Sequence, residues 1–181
     1  MQYLGVNFDI KHIPELDPGF IPFGVWRAAY LNGAKKPISI AVERADGQMS
    51  THHTFIHGTE EMYEADCYYI ERLVKTILWW KGGFKVYVAG DEGIYNYLTK
   101  VYNAGGQQEF DWDYMANVFE NPFQIVLVDK VPEAKDAPKK VGGNLGGCRI
   151  GFDAGGSDRK VSAVIDGETV YSEEVVWFPK I

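Results

Sequence analysis

The sequence predicts an α/β protein with a mixed sheet and helices, followed by a linker and a separate C-terminal β-hairpin. Short β-favouring runs alternate with amphipathic helical periods over residues 25–130. Residues 131–147 are rich in glycine, proline and lysine and show no apolar period. Apolar strands resume in 148–181, which we expect to begin a second unit. Residues 1–24, interrupted by prolines and glycines, are expected to form an irregular arm over the first domain.

Composition restricts the classes of function. With 46% hydrophobic and 24% charged residues, the 181-residue chain can bury a core. Its net charge of −7 argues against nucleic-acid binding, which usually needs a basic surface. The best apolar stretch, Val74–Trp80, contains Lys75 and is too short to span a bilayer, and no signal-peptide pattern begins the sequence. Cys67 and Cys148 have no metal-type spacing, so we expect reduced thiols and a cytoplasmic protein. Because no stretch is long and apolar enough to span a bilayer, we expect no membrane partner.

Three strands are predicted between residues 25 and 57. The run Val25–Leu31 favours a β-strand and ends at Asn32-Gly33, a frequent hairpin turn. Residues 38–43 alternate apolar and more polar side chains, which is typical of a half-buried strand. A second turn with an Asp-Gly pair then leads into the third strand, Met49–His57.

A long helix is predicted over residues 59–81. Thr59 is expected to be its N-cap, and the two glutamates that follow suit the positive end of the helix dipole. Apolar residues recur at helical spacing along one face. The helix also carries five aromatic residues: Tyr63, Tyr68, Tyr69, Trp79 and Trp80. We expect them to include a homodimer surface, with stacking of a sugar or a base as the less favoured alternative.

Strands and helices alternate through the rest of the first domain. Phe84–Ala89 and Phe123–Val128 are predicted strands. Between them, Gly90-Asp91 turns the chain into a second helix, and Asp111 is expected to cap a third, Trp112–Glu120. The resulting order, β-β-β-α-β-α-α-β, resembles a ribonuclease-H-like domain, which is also the half-domain of actin-like ATPases. The resemblance implies a ribonuclease-H-like mixed sheet over residues 25–130.

Two further groups carry residue types that occur in active sites. The first is a set of strand histidines: His52, His53 and His57. They lack the cysteine or carboxylate cluster of a metal site, so we interpret them as polar strand residues. The second is a set of acids: Glu109, Asp111 and Asp113. We interpret them as cap and first-turn acids of a short helix, because the helix dipole accounts for them without catalysis.

The strongest candidate site lies between two C-terminal strands. An apolar strand ends at Asp153, and a turn with Gly155, Gly156 and Ser157 leads into a strand that carries Lys160. Glycines let backbone N–H groups approach phosphate oxygens, and an acid can hold the Mg²⁺ that accompanies a polyphosphate. The pattern therefore predicts a site for a metal-bound polyphosphate. An ordinary Asp/Gly turn is the alternative.

Residues 150–157 resemble the first phosphate loop of the ROK group of sugar kinases and related repressors. That pattern is apolar-Gly-apolar-Asp-x-Gly-Gly-Thr-Lys, followed by a strand and an acidic-Gly turn, and the resemblance extends over 148–176. It implies ATP and Mg²⁺ as cofactors, with Asp153 at the metal. Phosphate contacts would fall to Gly155, Gly156, Ser157 and Lys160. Ser157 replaces the usual threonine, and Asp158-Arg159 precedes Lys160, which puts the register of the lysine in doubt.

The resemblance also implies an incomplete enzyme. The catalytic base, the sugar-binding residues and the zinc motif of the ROK group are not found in these residues. We therefore expect the N-terminal portion of a ROK-like ATP-dependent sugar kinase-family protein, inactive alone and partnered by the remainder of a longer protein. One alternative is a non-catalytic dimerisation or regulatory module. Another is an ATPase that activates 2-hydroxyacyl-CoA dehydratases, which would need an iron–sulfur cluster that Cys67 and Cys148 do not obviously supply.

Overall fold

A computed structural model of the chain describes residues 1–137, 142–144 and 146–178. It divides into two compact units, Met1–Ala137 and Pro138–Ile181. The part of the predicted linker at 138–141 and 145, and the last three residues of the predicted hairpin unit, lie outside the described residues.

The first unit is an α/β fold with a mixed four-stranded sheet. Its elements are β1 (Gln2–Tyr3), β2 (Val6–Asn7), α1 (Phe23–Leu31), β3 (Lys36–Arg44), β4 (Gln48–Ile56), α2 (Tyr63–Lys81), β5 (Lys85–Ala89), α3 (Glu92–Val101), α4 (Glu109–Phe119) and β6 (Gln124–Leu127). The strand order is β4-β3-β5-β6. Strand β3 is antiparallel to both β4 and β5, whereas β5 and β6 are parallel. The predicted α/β class with a mixed sheet is confirmed.

Helices cover one face of this sheet. Ile38, Ile40 and Val42 of β3 point to that face and are almost fully buried, as the predicted alternation requires. They belong to one core with side chains from all four helices, among them Trp26, Ile70, Leu98 and Met115. In the described part of the chain, no helix is long and apolar enough to cross a membrane.

The first part of the predicted linker packs on the opposite face of the sheet. Val131 is buried there against Ala41, Met49 and Ala89. The backbone of Lys135 exchanges two hydrogen bonds of 2.9 Å with Met49 at the edge strand β4. The linker prediction is therefore wrong for residues 131–137, because Val131, backbone hydrogen bonds and the ion pairs of Asp136 with Arg44 and Lys81 hold the segment on the sheet.

Residues 25–31 form a helix rather than the predicted strand. Trp26 and Tyr30 lie four residues apart on one face of α1, and both are buried. The Trp26 indole N–H donates to the Tyr3 carbonyl at 3.0 Å and so ties α1 to the small β1–β2 hairpin. The β propensity of Val25–Leu31 is outweighed by burial of this aromatic stripe. The first strand of the predicted order β-β-β-α-β-α-α-β is therefore helix α1 in the structure. The N-terminal arm, predicted to be irregular, contains the β1–β2 hairpin.

Two predicted helix caps are also wrong. Helix α2 begins at Tyr63, and the Thr59 carbonyl instead accepts a hydrogen bond from the Met62 N–H in a preceding turn. Helix α4 begins at Glu109, two residues before Asp111, which is buried inside its first turn. Asp91 does cap α3, because its carboxylate accepts the Ile94 N–H at 2.8 Å.

The second unit is a three-stranded antiparallel sheet. Its strands are β7 (Cys148–Ala154), β8 (Asp158–Ile165) and β9 (Glu168–Val176), in the order β7-β8-β9. Asp166 and Gly167 make the two-residue turn between β8 and β9, with φ of +49° and +89°. Positive φ at both positions is what a tight hairpin turn requires, and Asp-Gly is a residue pair that adopts it readily.

The helical assignment of residues 25–31 can be tested by unfolding the intact chain in denaturant. Replacing Trp26 by alanine should lower the free energy of unfolding of the first unit by about 3–5 kcal/mol, because a large buried aromatic side chain is lost. The matched Val25→Ala variant alters a neighbour that is 41% exposed and should change it by less than about 0.5 kcal/mol. Equal effects from the two variants would contradict the described packing of α1.

Candidate functional site

The predicted phosphate-loop residues lie at one end of the β7–β8 hairpin. Asp153 near the end of β7 pairs directly with Lys160 of β8, so the two side chains share one face of the sheet. The same face carries Gly151, Ser162 and Ser172, and these residues line a groove of about 420 Å³. Lys160 therefore lies across the strand pair from Asp153, the candidate metal ligand.

The two glycines of the turn have different surroundings. A Cβ atom on Gly155 would lie 2.8 Å from the Asp158 carbonyl oxygen and 2.9 Å from its Oδ1, so this position needs glycine. At Gly156 a Cβ atom would meet nothing within 4 Å. Gly155 thus lets the chain close the turn, while Gly156 leaves open space in which a phosphate could approach the backbone.

Trp177 holds the turn from outside the predicted motif. Its indole N–H donates to the Gly155 carbonyl at 2.8 Å, and its backbone N–H donates to the Ser157 carbonyl at 3.1 Å. Two carbonyl oxygens of the turn are thereby engaged. The turn is left with its N–H groups and the Ser157 hydroxyl as groups that can bind an anion.

The charges around Lys160 are mixed. Its Nζ lies 3.6 Å from Asp158 Oδ2 and 3.8 Å from Glu174 Oε1. Asp158, the extra acid relative to the ROK pattern, is therefore offset by a cation next to it. Asp153 has no such ion pair in the described residues. These side chains fit a magnesium–phosphate ligand, because a free carboxylate, an ammonium group and an open glycine turn lie at one end of the hairpin.

The histidines do not come together. The Nδ1 atom of His53 lies 2.8 Å from the Ser39 hydroxyl across the strand pair, and His57 Nε2 lies 3.0 Å from the Tyr30 carbonyl. Burial, followed by the charges of Arg27 and His53, lowers the pKa of His52. Over the described ranges, no group of three or more His, Cys, Asp or Glu side chains is arranged to hold a metal ion.

The acids of α4 have structural partners. Asp111 is 2% exposed, lies 2.9 Å from Lys75 Nζ, and accepts the Trp79 indole N–H at 3.2 Å. Glu109 accepts the backbone N–H of Gly105 at 2.9 Å. Asp113 is exposed on the opposite side of the helix. Asp111 therefore joins α2 to α4.

Sequence reasoning missed two residues that the structure makes prominent. Trp177 lies beyond the β8–β9 turn, and no local pattern connects it with a turn twenty residues earlier. Glu71 is only 6% exposed, in the middle of α2. The signal for Glu71 was present, because it follows Cys67 by four residues and precedes Val74 by three, and so lies in the apolar stripe.

Comparison with known proteins gives no relative. The chain matches no protein-family model, no curated protein and no solved structure. Its function must therefore be argued from its own residues and their geometry.

The different surroundings of the two turn glycines lead to a paired test. Gly155→Ala should disrupt the turn, because its methyl group would collide with the Asp158 backbone, whereas Gly156→Ala should leave the turn intact. The indole N–H resonance of Trp177 reports on the turn through its bond to Gly155. We expect Gly155→Ala to shift this resonance and speed its exchange with solvent. A greater effect from Gly156→Ala would contradict the described turn.

Proposed function

We propose that this chain is the N-terminal portion of a ROK-like ATP-dependent sugar kinase-family protein and that its β7–β8 hairpin is the phosphate loop. The observation that carries the proposal is the pairing of Asp153 with Lys160 beside the Gly155-Gly156 turn. A carboxylate, an ammonium group and a glycine turn at one strand end match the chemistry of a metal-bound polyphosphate. The resemblance of residues 150–157 to the ROK loop supports the same assignment.

Each residue has a defined role in the proposal. Asp153 would hold Mg²⁺, directly or through water, since magnesium prefers carboxylate and phosphate oxygens. Backbone N–H groups of Gly156 and Ser157 would donate to phosphate oxygens, and the Ser157 hydroxyl would donate as well. Lys160 would neutralise phosphate charge from across the hairpin. Bound Mg-ATP would supply the phosphoryl group.

The apolar face of the second sheet favours a role as one layer of a larger domain. On the side away from Asp153 and Lys160, Ile150 is 80% exposed, Phe152 63% and Tyr171 50%. Large apolar side chains gathered on one sheet face usually pack against another element. In actin-like domains helices cover such a sheet. The exposed face therefore supports the proposal that the hairpin begins a domain completed by other residues.

A ribonuclease-H-like ancestry of the first unit is part of the same proposal. The β3–β4 hairpin, the parallel β5–β6 pair and the helices on one face support it. The departure is α1, which occupies the chain position of the first strand. Of the described carboxylates near the turn, the proposal assigns Asp153 to the metal, and Asp158 and Glu174 lie beside Lys160, so it assigns none of them to accept a sugar hydroxyl proton. We therefore expect the chain to bind nucleotide without transferring phosphate.

A second candidate, a dimerisation module, is favoured by a patch of exposed aromatic rings. The rings of Trp79, Phe110 and Tyr114 have nearly parallel planes, with centroids 5.3 to 6.3 Å apart. They are 49%, 68% and 43% exposed. The Trp79 indole N–H donates to Asp111, which orients this ring. Exposed aromatic side chains are enriched in protein interfaces, and a second copy of the chain is the proposed occupant.

Titration of the intact chain with Mg-ATP tests the first candidate. We expect measurable binding by calorimetry, weakened about tenfold or more in Asp153→Asn, because a charged contact to the metal is lost. Glu173→Gln is the matched control, since it removes one carboxylate on the other face of the same sheet and should leave the affinity unchanged.

The two candidates predict different pairs of results. Equal affinity of Asp153→Asn and the parent chain, or no binding of Mg-ATP, would refute the phosphate-loop proposal. Sedimentation of the same samples tests the second candidate: a concentration-dependent dimer without nucleotide binding would favour it, and a strict monomer would exclude it.

A further inference from the structure

A cavity in the first unit lies between α2, α3 and the β1–β2 turn. It has a volume of about 360 Å³, enough for a small organic ligand. Four tyrosines contribute to its wall: Tyr3, Tyr63, Tyr68 and Tyr97. The carboxylates of Glu64 and Glu71 also line it, together with the guanidinium of Arg72.

Glu71 forms the buried part of this cavity. It is 6% exposed, and its Oε1 accepts a hydrogen bond of 2.7 Å from the Gln108 side-chain amide. Its Oε2 accepts a hydrogen bond from the Tyr97 hydroxyl. Both partners are neutral. The nearby lysine, Lys75, is engaged instead by Gln108 and Asp111.

The Glu71 carboxylate therefore lacks a cation. Among the ion pairs of the described residues, none includes Glu71. Removing a carboxylate from water costs several kcal/mol unless a positive charge compensates it. The cation in the cavity wall, Arg72, lies over the Tyr68 ring and forms no described ion pair with Glu71, so the charge of this buried carboxylate is not paired within the described residues.

The hydrogen-bonding groups around Glu71 determine which kind of ligand can bind beside it. Burial and the hydrogen bond to Glu71 raise the pKa of Tyr97, so this hydroxyl stays protonated and its proton points to the carboxylate. The Tyr97 oxygen and the remaining lone pairs of Glu71 can then only accept hydrogen bonds. A ligand that approaches them has to be a donor. Glu64 and Glu71 are negative and Arg72 is positive, so the charged side chains of the cavity wall carry a net negative charge that disfavours anions.

The tyrosine rings favour the same class of ligand. Aromatic faces attract cations, and the attraction strengthens where water is excluded. The cavity already shows this interaction at its rim, where the Arg72 guanidinium lies 5.4 Å from the centre of the Tyr68 ring. Tyr63 and Tyr97 offer further rings in the wall of the same cavity, and the Tyr97 hydroxyl donates to Glu71.

We propose that this cavity binds a small organic ammonium ion, which donates hydrogen bonds to Glu71 and contacts the rings of Tyr63 and Tyr97. Charge and hydrogen bonding at the Glu71 end select the ammonium group, and the tyrosines hold the alkyl part. The site lies wholly within the first unit. It goes beyond the proposed nucleotide binding and does not depend on it.

The test is a titration of the ¹⁵N-labelled full chain with n-butylammonium chloride at neutral pH and constant ionic strength. We expect saturable shifts of amide resonances in the first half of α2 and around Tyr97. The neutral analogue 1-butanol should cause no saturable shift at the same concentration. Glu71→Gln keeps the shape of the side chain and should weaken ammonium binding about tenfold or more, because a charged hydrogen bond is lost.

Two more variants complete the test. Glu92→Gln removes an exposed carboxylate that does not line the cavity, and it should bind as the parent chain does. Tyr63→Ala alters a ring that is 44% exposed, so it should fold normally and bind more weakly, even if Glu71→Gln does not fold. The proposal is overturned if n-butylammonium gives no saturable shift, if 1-butanol binds equally well, or if a folded Glu71→Gln or Tyr63→Ala keeps the parent affinity.

Discussion

A β-sheet in water is stabilised when its apolar face is covered, which the first unit achieves and the second unit, in its described residues, does not. In the first unit, helices α1 to α4 cover the face that carries Ile38, Ile40 and Val42. In the second, the two-residue period of β7 and β8 sends apolar side chains to one face and Asp153 and Lys160 to the other. The alternation that exposes Ile150 and Phe152 is therefore the same alternation that gathers the candidate phosphate ligands. The pleat of the sheet thus places the apolar side chains on one face and the candidate ligands on the other.

Much of the fold could be predicted because strand alternation and Asp-Gly turns are local signals. The strand over 36–44 and the turn at Asp166-Gly167 follow from neighbouring residues alone. Where prediction failed, a distant contact decided the outcome. Residues 25–31 are helical because Trp26 and Tyr30 pack into a core made by residues far along the chain. Asp111 is not a cap because Lys75 and Trp79 of another helix engage it.

In the candidate site, too, local features could be predicted from the sequence and distant contacts could not. Asp153 and the glycine turn could be recognised from sequence, since their residue types follow one another in the chain. The position of Lys160 opposite Asp153 could be known only from the register of β7 and β8. The hydrogen bond from Trp177 to the Gly155 carbonyl could be known only once β9 was placed beside β8. Glu71 could be noticed as an acid in an apolar stripe, but its lack of a cation depends on the surroundings that the fold creates.

The central claim is that nucleotide phosphates bind at the β7–β8 turn, and manganese-substituted ATP tests it most directly. Mn²⁺ broadens the NMR signals of nuclei near it, so a small amount of Mn-ATP added to the ¹⁵N-labelled chain reports where the metal lies. The account predicts that amide signals of residues 153–160 disappear first, and that Mn²⁺ without ATP does not reproduce this pattern. Earliest broadening in the first unit, or uniform broadening along the chain, would contradict it.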